Sequence, residues 1–158
     1  MADKLTHVDE QGQVSMVDVG SKQESERKAV VRSTVRLSPK TLSLLQEQAL
    51  PKGDVLATAK LAGIMAAKKT SDLIPLCHPL FLSYIDVVFQ VQETEGIIVV
   101  EAEARTTAAT GVEMEALVAA QTASMTIYDM CKAVQKDIVL EECRLIRKSG
   151  GRSGDYKA

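Results

Sequence analysis

Apolar and polar residues alternate along four segments of the chain, and this alternation predicts four β-strands. The segments are residues 29–37, 83–92, 97–105 and 138–147, of which the last alternates least regularly. A period of two places apolar side chains on one side of a strand and polar side chains on the other. A Glu-Thr-Glu-Gly turn at residues 93–96 joins the second and third strands into a hairpin. We therefore expect an antiparallel sheet with one buried face.

Three helices are predicted between these strands. The first follows the N-cap Ser38 and should cover residues 39–49, with a proline at its first position. The second is rich in alanine, follows the N-cap Asp54 and should cover residues 55–69. The third is the longest, and we expect it to extend over residues 112–136.

The order of these elements predicts an α+β fold. A strand, helices, two strands, a helix and a strand follow the ferredoxin-like βαββαβ order, with an extra helix in the first crossover. We expect helices to cover the antiparallel sheet on one face only. A length of 158 residues suits one domain, so we assign residues 1–158 to it. Within it, residues 1–27 are expected to be a partly mobile arm and residues 148–158 a glycine-rich basic tail.

The composition narrows the classes of function. A hydrophobic fraction of 46%, a charged fraction of 25% and a net charge of -2 are typical of a globular protein without a nucleic-acid or membrane partner. Aromatic residues make up only 3%, which disfavours an RNA-binding ferredoxin-like domain because such domains stack bases on strand aromatics. The sequence shows no signal peptide and no long apolar run, so we expect a cytoplasmic protein. The three cysteines lack CxxC spacing, which indicates reduced thiols and no metal site.

An acid and an amine lie on an apolar segment of the third predicted helix. Asp129 and Lys132 are three residues apart, so they share one helix face. The pair is either a structural ion pair or a functional site, and we favour the site. Glu113 and Glu115 open the same helix and complement its dipole. Because residues two positions apart do not share a face, we expect at most one of them to lie near Asp129.

Other residues suggest anion binding, each with a simpler alternative. Lys52 precedes a glycine at a helix start, where free N–H groups attract anions. His78 lies between two prolines in a stiff loop and is either a proton carrier or a structural histidine. Cys77 beside it is a ligand, a nucleophile or an inert thiol. Lys148 and Arg152 stand in a tail that could wrap phosphate oxygens or simply be flexible.

Six motifs, in the same order along the chain, resemble the MoaC family. The resemblance extends from about residue 5 to residue 156, and unbroken matches of seven or more residues are highly specific. The motifs are KGDV at 52–55, AGIMAAKKT at 62–70, LIPLCHPL at 73–80, TGVEMEAL at 110–117, IYDMCKAV at 127–134 and KSGGRSG at 148–154.

The resemblance implies a cyclic pyranopterin monophosphate synthase, which acts in molybdenum cofactor biosynthesis. Its substrate would be 3′,8-cyclo-7,8-dihydroguanosine 5′-triphosphate, a cyclised GTP derivative, and its products cyclic pyranopterin monophosphate and diphosphate. The family also implies a homohexamer, a trimer of dimers, with sites at subunit interfaces. A non-catalytic nucleotide-sensing module of the same fold is the rival hypothesis, and it would not need the Asp129–Lys132 pair.

Position by position, the resemblance also implies the site residues. Asp129 and Lys132 match the catalytic pair. The positions that match the substrate pocket are Lys52, Leu76, Cys77, His78, Glu113, Met114, Glu115, Lys148 and Arg152. We expect Lys132 and Asp129 to move protons, with the pKa of the lysine depressed by burial or cationic neighbours. His78 and Lys148 would stabilise the phosphates.

Two positions depart from the family pattern. Ala109 stands where we expect a basic or polar residue, which leaves open the part that its loop plays in binding. Arg152 replaces a lysine, and because arginine keeps the charge, phosphate binding should survive. No cofactor is required by the sequence. A divalent metal could assist on the triphosphate, although no cluster of protein ligands demands one.

Overall fold

The computed structural model describes residue 8, residues 11–151 and residues 154–158. Its elements, in chain order, are β1 (Ser25–Arg36), α1 (Pro39–Gln46), α2 (Val55–Ala67), α3 (Thr70–Leu73), β2 (Tyr84–Gln92), β3 (Ile97–Ala108), α4 (Glu113–Cys131), β4 (Val139–Ser149) and β5 (Tyr156–Lys157).

The strands form one antiparallel sheet in the order β2-β3-β1-β4-β5. Helix α4 packs against β1 and β3, and α2 packs against α4 and β2. The opposite face of the sheet carries ion pairs between neighbouring strands, including Arg32 with Glu101 and Arg36 with Glu141. The predicted α+β, ferredoxin-like order is therefore confirmed. No helix in the described part of the chain has the length and apolar character needed to span a bilayer.

Small side chains fill the space between the helices and the sheet. Ala116, Ala119, Ala120 and Ala123 on α4 are fully buried. A Cβ on Gly63 of α2 would lie 2.8 Å from the backbone oxygen of Ala119. The two helices therefore approach closely, and this spacing fixes the start of α2 relative to the end of α4.

Both predicted N-caps are present. The Ser38 hydroxyl accepts a hydrogen bond from the Thr41 N–H at 3.2 Å, and the Asp54 carboxylate accepts one from the Ala57 N–H at 3.0 Å. These bonds satisfy N–H groups that the first turn of a helix leaves without partners.

The predicted helix ends were less accurate. Helix α1 stops at Gln46 rather than at residue 49, and α2 stops at Ala67 rather than at residue 69. The single turn α3 then precedes the stiff loop between the prolines. The prediction that the long helix continues to residue 136 was wrong.

Helix α4 ends at Cys131, whose carbonyl accepts two N–H groups. The N–H groups of Val134 and Gln135 both donate to the Cys131 carbonyl, at 2.9 Å and 3.1 Å. The Gln135 side chain then accepts the Ser38 N–H at 2.9 Å, which ties the end of α4 to the start of α1. This tertiary contact lies a few residues beyond the last helical residue.

Two irregularities interrupt the pairing of β1 with β4. The register shifts between Val30 and Val31 and again between Ser33 and Thr34, so β4 carries one extra residue at each point. One extra residue is Glu142, whose φ of 28° lies in the left-handed region. These bulges explain why the alternation in residues 138–147 is weak, since each reverses the side of the sheet that the next residue faces.

Candidate active site

Three predicted residues meet at the C-terminal end of α4, in what we call the lysine–aspartate cluster: Lys52, Asp129 and Lys132. The Asp129 carboxylate accepts from Lys52 Nζ at 2.6 Å through one oxygen and lies 2.7 Å from Lys132 Nζ through the other. Lys52 Nζ also donates to the Asp129 carbonyl at 3.0 Å. The side chains of Lys52, Asp129 and Lys132 are 41%, 52% and 52% exposed, so the pair is not buried within this chain.

The charges of this cluster stabilise one another. Hydrogen bonds from Lys132 and Lys52 lower the pKa of Asp129 to about 2. The hydrogen bond and charge of Asp129 raise the pKa of Lys132 above its ordinary value. The expectation of a depressed lysine pKa was therefore wrong for this state of the protein, because Lys132 is exposed and its nearest charged partner is an anion.

Six other predicted residues line a cavity of about 330 Å³ at the N-terminal end of α4, which we call the histidine–glutamate pocket. Helix α4 contributes its first residues, and the stiff loop between the prolines contributes the others. Residues 17–22 of the N-terminal arm form another wall. The predicted residues in the lining are Leu76, Cys77, His78, Glu113, Met114 and Glu115.

Lys148 lies beside this pocket. It is part of β4 rather than of the tail, opposite Ala29, and its Nζ lies 3.1 Å from a carboxylate oxygen of Glu113. Gly111 allows this arrangement, because a Cβ there would overlap the Glu113 carboxylate. The bulges of β4 set the face on which Lys148 projects.

Burial perturbs the acids of the pocket. The Glu115 side chain is buried, and desolvation together with the charge of Glu113 raises its pKa. Burial and the charge of Glu115 raise the pKa of the Cys77 thiol, so the thiol form, which is the weaker nucleophile, is favoured. Both Glu113 and Glu115 line the pocket, and neither lies near Asp129 in this chain, in agreement with the expectation that at most one of them would.

Two cations in this region were missed by the sequence analysis. Lys22 lines the histidine–glutamate pocket, and Arg27 lines a smaller cavity with Glu113 and Lys148. The Arg27 Nε–H donates to the Ala108 carbonyl at 3.3 Å. Both residues fell in the polar segment assigned to the arm, where no periodic pattern marks them.

The remaining predicted positions are less informative. Ala109 lines a separate cavity with Lys22 and Arg27, so its loop borders the same cationic region. Arg152 lies outside the described residues. Within the described ranges, no three His, Cys, Asp or Glu side chains are grouped so that they could hold a metal ion.

The structure does not bring all of these residues together in one chain. Glu113 and Asp129 are 16 residues apart on the same helix. At a rise of 1.5 Å per residue this separation is about 24 Å. The lysine–aspartate cluster and the histidine–glutamate pocket therefore lie at opposite ends of α4, and we use the name half-sites for the two groups.

Comparison with known proteins decides the family. A model of the MoaC family matches residues 16–151, a range that includes both half-sites and ends one residue before Arg152.

The chain belongs to the MoaC family.

Several relatives in the MoaC family carry the same name, cyclic pyranopterin monophosphate synthase. The protein of that name from Oleidesulfovibrio alaskensis is 65% identical over all of this chain and 99% of its own length. The one from Nitratidesulfovibrio vulgaris is 63% identical over 98% of this chain and 96% of its own. The one from Roseiflexus sp. is 54% identical over 96% of each. The prediction of a MoaC enzyme of molybdenum cofactor biosynthesis is confirmed.

Proposed function

We propose that this MoaC chain is a cyclic pyranopterin monophosphate synthase. It is a lyase that converts 3′,8-cyclo-7,8-dihydroguanosine 5′-triphosphate into cyclic pyranopterin monophosphate and diphosphate. The name shared by relatives of high identity supports this activity. The observation that carries it is the Asp129 carboxylate held between two lysine ammonium groups at 2.6 Å and 2.7 Å on the protein surface.

The lysine–aspartate cluster moves protons. Asp129 is ionised at neutral pH because its pKa is about 2. Lys132 begins as an ammonium group because Asp129 raises its pKa. Lys132 therefore acts first as a general acid during ring opening and then as the base that recovers the proton during re-closure. Asp129 holds both lysines in the geometry that this transfer needs.

The histidine–glutamate pocket and its neighbours bind the substrate. A nucleoside triphosphate carries about four negative charges, so several charge-assisted hydrogen bonds are needed to hold it. Lys22, Arg27, His78 and Lys148 border this region and supply donors for the phosphates and for the departing diphosphate. Glu113 and Glu115 face the ring system of the substrate. No protein-bound cofactor is part of this proposal, and a divalent cation would be held by the phosphate oxygens.

A second copy of the chain completes the site. One chain holds the two half-sites about 24 Å apart, too far for one small substrate to touch both. The exposed positions of α4 are Gln121, Met125 and Asp129, spaced four apart along one stripe. Antiparallel packing of this stripe against its copy would bring the lysine–aspartate cluster of each chain to the partner's histidine–glutamate pocket. We propose this pairing within a trimer of dimers, a homohexamer, in the cytoplasm.

A coupled turnover assay tests the function. The cyclised GTP substrate would be supplied to the purified protein, with diphosphate release and the fluorescent oxidation product of the pterin as signals. We expect both signals in the parent, loss of about 10²–10⁴-fold in kcat for Lys132→Ala, and retained substrate binding. Lys136→Ala is the matched control, since Lys136 is exposed beyond the end of α4. Tight binding without either signal would favour a nucleotide-sensing module instead.

A further inference from the structure

The N-terminal arm contacts His78, the histidine that lines the pocket, through the backbone of Val17. The Val17 carbonyl oxygen lies 2.8 Å from His78 Nε2. A carbonyl oxygen accepts hydrogen bonds and never donates them, so Nε2 must carry the hydrogen. When the imidazole ring is neutral, the other nitrogen, Nδ1, is then bare and is the free acceptor.

This part of the arm has a defined local structure. The Asp18 carboxylate accepts the Gly20 N–H at 2.8 Å, and the Val19 carbonyl accepts the Lys22 N–H at 3.0 Å. These two turns aim the Val17 carbonyl at the imidazole. The side chains of Val17 and Val19 are half-buried and line the same cavity as His78.

The loop on the other side of the ring is also restrained. Pro75 and Pro79 flank His78 and fix two φ angles of this segment. The imidazole is therefore held from the backbone side by the stiff loop and at Nε2 by the arm. A ring held at one nitrogen presents its other nitrogen in one direction.

We infer that residues 17–22 are a positioning segment for His78, in which the Val17 carbonyl fixes the Nε2–H tautomer so that His78 meets the substrate through Nδ1. A neutral His78 accepts a proton or hydrogen bond at Nδ1, and a charged His78 donates from Nδ1 to a phosphate oxygen while Nε2 remains on the carbonyl. The kinetic part of this inference rests on the proposed synthase activity, but the state of the ring does not.

Nitrogen NMR of the ring tests the inference without any turnover. The chain has two histidines, so His7→Gln leaves His78 as the only labelled ring in the full-length protein. With the ring neutral, we expect one pyrrole-type signal from Nε2 and one pyridine-type signal from Nδ1. Adding Asp18→Ala and Val19→Gly loosens the arm and should move both signals towards values averaged over two tautomers. Asp18→Asn keeps an acceptor oxygen and is the matched control, with signals like those of the parent.

A double-mutant cycle gives the functional test. If the arm acts through His78, loosening it with Asp18→Ala and Val19→Gly lowers kcat in the parent but has no further effect in His78→Ala. Losses that multiply in the combined variant would mean that the arm acts independently of His78, for example through Lys22. Unchanged ring signals in the loosened chain would overturn the inference, whether or not the protein shows synthase activity.

Discussion

At the C-terminal end of α4, Asp129 is half exposed and shares its charge with two lysines, whereas at the N-terminal end Glu115 is buried beside another acid. The pKa of Asp129 falls to about 2, and the pKa of Glu115 rises above its ordinary value. The same type of group is thus stabilised as an anion at one end and as a neutral acid at the other.

This difference is consistent with the separate roles that we propose for the two half-sites. Charges that are paired and hydrated stay in place without a ligand, and they are suited to transferring a proton when a substrate arrives. Acids that are already desolvated bind a ligand with hydrogen-bond donors without first losing much water. The proton-transferring lysines lie at one end of α4 and the desolvated acids at the other. The proposed mechanism therefore needs a second copy of the chain to bring them together.

Mixing two inactive variants should give the largest effect, because the experiment tests whether the two ends of α4 form one site between chains. Lys132→Ala damages the lysine–aspartate cluster and Lys148→Ala damages the region of the histidine–glutamate pocket. In randomly formed dimers, half the pairs are mixed and each mixed pair has one intact site, so about a quarter of the parent activity should return. The turnover assay on co-expressed, differently tagged chains measures this recovery.

The control for this experiment damages the same end twice. Lys132→Ala mixed with Lys52→Ala should recover nothing, because every mixed pair still has one lesion in each site. If the first mixture is no more active than either variant alone, the two half-sites do not act together.

Gly63→Ala should weaken the spacing that brings Lys52 to Asp129. An added Cβ would lie 2.8 Å from the Ala119 oxygen and 3.0 Å from the Val87 side chain, so α2 must move away from α4. We expect a loss of about 1–3 kcal/mol in the free energy of unfolding, measured by urea denaturation. Ala57→Gly on the exposed side of α2 should cost about 1 kcal/mol through helix propensity alone. Equal kcat values in Gly63→Ala and Ala57→Gly would show that this spacing does not matter to the cluster.

Glu115→Gln should stabilise the protein at neutral pH. The folded-state pKa of Glu115 is raised, so the folded protein binds this proton more tightly than the unfolded chain. The acid therefore lowers stability as the pH rises above about 4, where the unfolded carboxyl ionises. Thermal unfolding should show a higher Tm for Glu115→Gln than for the parent at pH 7 and no difference below pH of about 4. A lower Tm for the variant at pH 7 would contradict the raised pKa.

Asp129→Asn should have the smallest effect on stability, and with the opposite dependence on pH. The folded-state pKa of Asp129 is lowered to about 2, so its contribution is present above the unfolded pKa. It disappears as the pH falls from about 4 through 2. We expect a modest Tm difference between parent and variant at neutral pH that closes over this acidic range. Because the group is exposed, high salt should also reduce the difference.

The sequence predicted the elements of the fold better than their ends. The alternation predicted for residues 29–37 agrees with the structure at Val31, Ser33 and Val35, which are buried on one side of β1. The predicted end of α4 was wrong because residues beyond Cys131 keep a helix-compatible pattern. The Gln135 side chain in this segment accepts the Ser38 N–H, a contact between distant parts of the chain that periodicity does not reveal.

The sequence predicted which residues belong to the candidate site but not how they are arranged in space. The motifs named Asp129, Lys132 and Glu113, and the distance between the ends of one helix could have been computed from their numbers alone. Lys22 and Arg27 could not be predicted in this way, because no periodic pattern marks them. Only the folded structure shows that they lie at or beside the pocket.

The two bulges of β4 make this strand behave like a reading frame. Each extra residue shifts the side chains that follow to the other face of the sheet, and the second shift restores what the first reversed. With only one of them, Lys148 would project from the open face and Arg147 would point towards Glu113. Insertions and deletions in this strand should therefore be tolerated in compensating pairs, while a single one exchanges the two neighbouring cations.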